Sequence, residues 1–239
     1  MPAREFDRFA KSYAKHNSLQ KEIARELISL VDDEISRVAD IGCGDGAVYD
    51  ELLSQEKRFE KFYAIDSSKN MLSLHPKDES VELVCLDFNS PEFGERLSEL
   101  NVDTIISSSA LQWAKSPEKV LEDISLNSKK AYLSIFTSET FAFLHKFAGV
   151  KSPIHSKERL SRAIGSFFEV ENIYILRYRI RFESREDIFR YIKRSGVSGR
   201  RGELSFQATK RLIREFPRDY LTFEVLFVVA NSKNSLSKS

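Results

Sequence analysis

The chain has little of several features that mark secreted, membrane-embedded or nucleic-acid-binding proteins. Its 239 residues include only two cysteines, Cys43 and Cys85, which excludes a disulfide framework and favours a reducing compartment. No apolar run approaches the ~20 residues that span a bilayer, and Leu221–Ala230 is the longest. The charged start, Met1–Arg8, lacks the apolar core of a signal peptide. Because the net charge is only +1, nothing global indicates nucleic acid or a membrane surface. These absences predict a cytoplasmic protein.

What the chain does have is a hydrophobic pattern that alternates between strands and helices. Apolar residues at helical spacing predict helices over about the first thirty residues. Five strands separated by helices are predicted next, at Val38–Ile41, Phe62–Ile65, Val81–Leu86, Val102–Ser107 and Ala131–Phe136. This alternation is typical of a parallel, doubly wound α/β sheet with right-handed crossovers.

The pattern loosens after Phe136. We predict an aromatic-rich helix or lid near 141–147, further helices at 157–168, 185–195 and 206–216, and late strands at Ile173–Phe182 and Leu221–Ala230. Such a late strand pair often forms an antiparallel edge on a parallel sheet. The sequence thus predicts one domain over residues 1–232 with a mostly parallel, seven-stranded sheet. Its parts are an N-terminal helical cap (1–31), a cofactor-binding half (38–136), a substrate-side half with a helical lid or insert (137–230), and a disordered tail (233–239).

A glycine turn between the first predicted strand and its helix is the most informative stretch. Gly42, Gly44 and Gly46 alternate directly after the strand, where glycine permits positive φ and lets a ligand approach the backbone. A nucleotide-like ligand is therefore expected at the carboxyl ends of the strands. The segment 42–47 also fits the dinucleotide pattern G-x-G-x-x-A, so a nicotinamide-linked oxidoreductase is a rival interpretation.

Three features, two involving acids and one an absence, favour a different ligand. Asp40, at the end of the strand, could pair with an ammonium group but would repel a pyrophosphate. Asp87 and Phe88 follow the third strand, where they could bracket a purine. Asp66 could bind ribose hydroxyls in either class, although a helix cap is its alternative role, as a polar turn is for Asp87. No Tyr-x-x-x-Lys or other hydride-transfer set follows.

These motifs resemble those of the class I methyltransferases. The resemblance rests on the segments 40–46, 64–67, 86–88 and 102–106, within about the first 136 residues. It implies S-adenosylmethionine as cofactor and no metal. The implied cofactor-binding residues are Asp40, Gly42, Gly44, Gly46, Asp66, Ser67, Met71, Asp87, Phe88 and Ser108.

A narrower resemblance covers nearly the whole chain. The start Phe6-x-Arg8-x-Ala10-x-x-Tyr13-x-x-His16-x-x-Leu19-Gln20, the segment Ser107-x-x-Ala-Leu-Gln-Trp113 and the end 221–230 are similar to the malonyl-acyl-carrier-protein O-methyltransferases of biotin synthesis. That family methylates the free carboxylate of malonyl carried on the phosphopantetheine of acyl carrier protein. This chain departs from the pattern at Ser108, where the family commonly has Asn, and in the short, divergent segment after Phe136.

Methylation of a carboxylate needs positioning more than acid–base chemistry, because a carboxylate with a pKa near 4 is already ionised. Aromatic walls and orienting donors are the residues to expect. Tyr13 and His16, three apart on one helix face, and Gln112 and Trp113, after the fourth strand, suit these roles. Core packing for Tyr13 and Trp113 and a surface position for His16 are the alternatives.

The C-terminal half contains a strongly basic segment. Between Arg177 and Asp219 there are thirteen Arg or Lys and six Asp or Glu, in a chain whose net charge is +1. The residues proposed to bind acidic acyl carrier protein are Arg190, Lys193, Arg194, Arg200 and Arg201, and a solvated face is the alternative. No RNA-binding motif is present, so a nucleic-acid partner is not expected. A methyltransferase for a free small acid, a nicotinamide-dependent oxidoreductase and a non-catalytic nucleotide-binding protein also stay open.

Overall fold

The computed structural model describes residues 18–194 and 213–234. The strands are β1 (Arg37–Ile41), β2 (Lys61–Asp66), β3 (Val81–Cys85), β4 (Thr104–Ser108), β5 (Lys130–Phe136), β6 (Phe168–Arg181) and β7 (Tyr220–Ser232). The helices are α1 (Ser18–Ile28), α2 (Ala47–Ser54), α3 (Lys69–Leu72), α4 (Phe93–Glu99), α5 (Pro117–Leu126), α6 (Ala142–Ala148), α7 (Lys157–Phe167) and α8 (Arg185–Arg194), with a 3₁₀ turn at Leu111–Trp113. Within this part of the chain, no helix is both long and apolar enough to cross a membrane.

The seven strands form one sheet in the order β3-β2-β1-β4-β5-β7-β6. The first five in that order pair in parallel, whereas β7 lies antiparallel between β5 and β6. The prediction of a mostly parallel, doubly wound sheet with an antiparallel edge is therefore confirmed. The order reverses between β1 and β4, and in open α/β sheets a ligand crevice lies outside the carboxyl ends of the strands at such a point.

Both faces of the sheet are covered by apolar helix faces. On one face, α1 and α2 pack with β1, β2, β5 and β7, and residues such as Ile23, Leu27 and Phe62 are fully buried there. On the other face, α4, α5 and α7 cover the alternate side chains of the strands, such as Ile105, and contribute Phe93 and Leu160 to this core. Since successive strand residues point to opposite faces, the two cores come from one alternating pattern.

The end of β6 and the start of β7 extend beyond the carboxyl end of β5. Phe136, the last residue of β5, pairs with Val225, and β7 continues back to Tyr220 against Arg181. An aromatic cluster that includes Phe141, Phe143 and Phe216 packs around this overhang. The C-terminal half therefore projects past the sheet edge at which a ligand is expected.

Two elements differ from their predicted form. Helix α4 was not predicted, because its apolar signal consists of little more than Phe93 and Leu97, one helical turn apart. Strand β6 starts at Phe168, five residues before the predicted Ile173, and a bulge between Val170 and Asn172 interrupts its alternation. Of the helix predicted at 206–216, residues 213–215 are helical and the rest lies outside the described residues.

Candidate functional site

A cavity opens at the carboxyl ends of β1 to β4. Nine residues that the sequence analysis assigned to the cofactor or the acceptor line it: Gly42, Gly44, Asp66, Ser67, Met71, Asp87, Phe88, Ser108 and Trp113. Asp40, Gly46 and Gln112 do not line it. Tyr13 and His16 lie outside the described residues. Gln20, Cys43, Asp45, Ala47, Val48, Leu86, Asn89, Ser109, Ala110 and Lys115 line the cavity without having been predicted.

Backbone conformation explains all three glycines of the turn, and packing explains two of them further. All have positive φ, at +77° for Gly42, +57° for Gly44 and +98° for Gly46. A Cβ on Gly42 would lie 2.3 Å from the Cβ of Ala110, so this glycine lets the β4 loop close over the turn. A Cβ on Gly46 would lie 2.5 Å from Cδ of Pro76. Gly46 is thus required by packing outside the cavity.

Asp66 ties the glycine turn to the end of β2. Its carboxylate accepts hydrogen bonds from the backbone N–H of Gly44 at 3.1 Å and of Ser68 at 2.8 Å. Ser68 is the residue that caps α3, accepting from the N–H of Met71 at 3.1 Å. Each carboxylate oxygen has two lone pairs, so Asp66 retains acceptors for ribose hydroxyls while it anchors the turn.

The β3 end of the cavity is held by an amide that sequence reasoning missed. Asp87 is exposed and accepts from the N–H of Asn89 at 2.8 Å, as in an Asx turn. Asn89 in turn accepts from the N–H of Lys115 at 2.7 Å and donates to the carbonyl of Trp113 at 3.4 Å. Asn89 therefore joins the loop after β3 to the loop after β4, and these two loops form opposite walls.

Asp40 is a buried acid that no described residue partners. It is fully buried in β1, and neither carboxylate oxygen receives a hydrogen bond from residues 18–194 or 213–234. Burial, together with the charge of Asp66, raises the pKa of Asp40 well above its usual range. An unpaired buried carboxyl is costly, so its presence beside the turn indicates that a bound group supplies compensation.

The loop after β4 carries a strained serine. Ser109 has φ +57°, which is uncommon for a residue with a Cβ, and its buried hydroxyl has no hydrogen-bond partner in the described part of the chain. Gln112 is 4% exposed and donates to the carbonyl of Ser109 at 2.6 Å. Gln112 thus supports the turn from behind, whereas Ser109 and Trp113 face the cavity.

These residues fit S-adenosylmethionine better than a dinucleotide. The glycine turn offers close backbone approach, Asp66 offers ribose acceptors, and Phe88 offers an aromatic wall at the β3 end. Three carboxylates line the cavity, Asp45, Asp66 and Asp87, and would repel a pyrophosphate but suit a ligand that carries a sulfonium and an ammonium. Cys43 adds no nucleophile, because burial raises the pKa of its thiol well above the usual range.

Comparison with known proteins agrees with this assignment of class. Residues 39–128 match the family model described as a methyltransferase domain. The fold is shared with a phosphoethanolamine N-methyltransferase of Haemonchus contortus solved with S-adenosylhomocysteine, at a TM-score of 0.56 and 16% identity, covering 97% of this chain and 60% of that one. The chain therefore contains a methyltransferase domain over residues 39–128 and shares its fold with an S-adenosylmethionine-dependent enzyme.

More specific similarity extends over nearly the whole chain. The malonyl-[acyl-carrier protein] O-methyltransferase of Acinetobacter baylyi is 25% identical over 230 residues, which cover 93% of this chain and 88% of that protein. The enzyme of the same name from Bacteroides thetaiotaomicron is 23% identical over an alignment that covers 97% of each chain. The resemblance that the motifs indicated is therefore supported along the full length.

Proposed function

We propose that this protein acts in biotin synthesis, transferring the methyl group of S-adenosylmethionine to the free carboxylate of malonyl-acyl carrier protein. The observation that carries the proposal is the similarity to malonyl-acyl-carrier-protein O-methyltransferases over 93% to 97% of the chain. The described residues that line the cavity include no histidine, and the proposed acceptor does not require one as a base. A carboxylate acceptor needs no base, whereas most alcohol acceptors do.

This reaction requires the protein to align the acceptor carboxylate with the methyl group. When bound, S-adenosylmethionine supplies an electrophilic methyl group, so that an oxygen–carbon bond forms as the sulfur–carbon bond breaks and the bonding pair stays on sulfur. No proton is transferred. The chain's own residues must hold the carboxylate in line and exclude water, and such positioning can supply about 7–11 kcal/mol of a barrier. Excluding water also strengthens the attraction between the two reacting charges.

Ser109 is our candidate for orienting the carboxylate. Ser109 lines the cavity, and its buried hydroxyl has no partner among the described residues, so it is available to donate to an acceptor oxygen. Gln112 acts as a positioning residue, since its amide holds the carbonyl of the strained Ser109 at 2.6 Å. Trp113, half-buried at the mouth, supplies an aromatic wall. Tyr13 and His16 are proposed to complete this side from the N-terminal segment.

Acyl carrier protein is proposed to dock on the basic C-terminal half. Arg190 pairs with Asp187 on its own helix, which reduces its net charge contribution, and the side chains of Lys193 and Arg194 and all of Arg200 and Arg201 lie outside the described structure. The guanidinium groups of Arg179 and Arg218 lie 4.4 and 5.2 Å from the ring centroid of Tyr220. We add these two arginines to the proposed docking surface because they form no ion pair with any described carboxylate.

The proposal is tested by methyl transfer from labelled S-adenosylmethionine to three acceptors: malonyl-acyl carrier protein, malonyl-coenzyme A and free dicarboxylic acids. We expect the highest kcat/KM with the carrier-bound substrate. Transfer to a free diacid with none to the carrier would establish the small-acid alternative. Ser109→Ala should lower kcat by about 10-fold or more through the lost donor, whereas Ser98→Ala, an exposed serine of α4, should leave it unchanged.

A further inference from the structure

Helix α1 contributes one side chain to the cavity, and that side chain is a buried amide with an unused acceptor. Gln20 is 9% exposed and lines the cavity together with the glycine turn. Its Oε1 atom receives no hydrogen bond from any described residue. Leaving a buried amide oxygen unpaired is costly, so its retention on an otherwise apolar helix face indicates a ligand that supplies a donor.

The packing of α1 places Gln20 at a defined end of the cavity. The strands that line the cavity run in the order β3, β2, β1, β4. Asp87 and Asp66 mark the β3 and β2 ends, where the purine and the ribose are assigned. Helix α1 instead packs against α2, β4 and β5, so Gln20 enters from the opposite end.

The ligand group left for this end is the amino-acid part of the methyl donor. An α-ammonium carries three N–H donors and no acceptor, which matches an amide oxygen that has no donor of its own. Asp40 has two further unpaired oxygens, and its neighbours Val38 and Ala64 lie in the core that α1 covers. Buried acceptors thus gather in the layer between α1 and β1, where a positive group would relieve their cost.

We propose that Gln20 accepts a hydrogen bond from the α-ammonium of S-adenosylmethionine and thereby reads the amino-acid end of the methyl donor. The inference rests on the methyl-donor assignment and does not depend on which acceptor is methylated. Gln20 is expected to stabilise a group that adenosine-only ligands lack, so its contribution should be specific to ligands that retain the ammonium.

Titration calorimetry with two ligands isolates this contact. S-adenosylhomocysteine carries the amino-acid end, whereas 5′-methylthioadenosine has the same adenosine and sulfur without it. Gln20→Leu should weaken the binding of S-adenosylhomocysteine about 10- to 100-fold and change the affinity for methylthioadenosine by no more than about 2-fold. Gln20→Glu keeps an acceptor and should retain most of the affinity. Asp66→Ala should weaken both ligands, because both contain the ribose.

Lys21→Leu, an exposed neighbour on the same helix, is the matched control and should change neither affinity. Thermal unfolding of each variant checks that α1 stays packed. Equal weakening of both ligands by Gln20→Leu would overturn the proposal, since Gln20 would then only shape the cavity. Gln20→Glu as harmful as Gln20→Leu would overturn it too, because the amide would then be donating to the ligand carboxylate. If wild-type protein bound neither ligand, the methyl-donor assignment itself would fail.

Discussion

At the scale of single residues, Gly42 meets two constraints at once. It has φ +77°, and a Cβ there would lie 2.3 Å from the Cβ of Ala110. Gly149 has a similar φ of +69°, yet nothing lies within 4 Å of its Cβ position. Comparing alanine variants at Gly42 and Gly149 therefore separates the cost of backbone strain from the cost of steric contact.

We expect Gly149→Ala to lower the free energy of unfolding by about 1–2 kcal/mol, the cost of a left-handed backbone with a Cβ. Gly42→Ala should cost a further ~1–3 kcal/mol, because Ala110 and its loop must move. Urea unfolding of both variants measures the difference. The Gly42 variant should also lose affinity for S-adenosylhomocysteine, whereas the Gly149 variant should keep it. Equal losses of stability would show that the contact with Ala110 is relieved at no cost.

Asp40 makes a residue-scale prediction about pH. An acid whose pKa is raised by folding contributes fully below its unfolded value, near 3.9, and stability falls as pH rises from there through the folded pKa. Asp40→Asn should therefore increase the free energy of unfolding of the ligand-free protein at neutral pH, because the cost of ionising a buried carboxyl is removed. The same variant should bind S-adenosylhomocysteine more weakly.

The control for this prediction is an acid whose effect on stability changes with pH in the opposite direction. Backbone and side-chain hydrogen bonds from Ser80 lower the pKa of the exposed Asp78, so its contribution is present above the unfolded value and is lost as pH falls. Asp78→Asn should therefore lower stability slightly at neutral pH. A destabilised Asp40→Asn protein at neutral pH would contradict the account, because Asp40 would then be ionised and paired.

At the scale of elements, predictions succeeded where one segment carried its own signal. The strand–glycine–helix stretch 38–54 and the continuous apolar run of β7 are examples, because burial on a sheet leaves a clear pattern. Helix α4 had no such signal: Gly94 lowers its propensity, and a Cβ at that position would lie 2.6 Å from Oδ1 of Asp123. Tertiary packing against α5 sets this helix, and local sequence does not show it.

Residues of the candidate site could also be predicted only where the local sequence carried a signal. Residues at strand ends were found, because parallel strands bring their carboxyl ends together. Gln20, Asn89 and Ser109 were not assigned a role, since their importance depends on burial and on missing or long-range hydrogen bonds that no spacing reveals. Gln112 was predicted to contact the acceptor, but it lies behind Ser109 and does not line the cavity. The sequence does not show which side of the 3₁₀ turn this residue faces.

The N-terminal segment gives an element-scale prediction. Leu19 and Ile23 of α1 belong to the core, so a deletion that ends at residue 17 spares that packing. If Tyr13 and His16 close over the acceptor, the truncated protein should lose turnover while its thermal midpoint changes by no more than about 4 °C. Calorimetry should still detect S-adenosylhomocysteine. Normal turnover after the deletion would show that the segment takes no part in the reaction.

At the scale of the whole molecule, charge is distributed unevenly along a nearly neutral chain. If the basic C-terminal half docks an acidic carrier protein, exposed pairs contribute only about 0–1 kcal/mol each but together raise the encounter rate. Reversing Arg190, Lys193 and Arg194 to Glu should lower kcat/KM on malonyl-acyl carrier protein about 10-fold at low salt, with kcat little changed. Malonyl-coenzyme A should respond much less, and added salt should reduce the difference between variant and wild type.

Lys129→Glu supplies the control for this charge reversal. Lys129 is exposed just before β5, at the amino edge of the sheet and opposite the cavity, so its reversal should affect neither substrate. Equal losses on both substrates in the triple variant would indicate that the three residues shape the pocket. No loss on either substrate would mean that this face is only solvated.

The central claim is that the cavity at the carboxyl ends of β1 to β4 holds S-adenosylmethionine. Titration calorimetry of the full chain with S-adenosylmethionine, S-adenosylhomocysteine, NAD and NADP tests it most directly. The account predicts binding of the first two ligands at one site and no comparable binding of the nicotinamide cofactors, because the acids around the turn disfavour a pyrophosphate. Tight binding of NAD or NADP without binding of S-adenosylmethionine would contradict it.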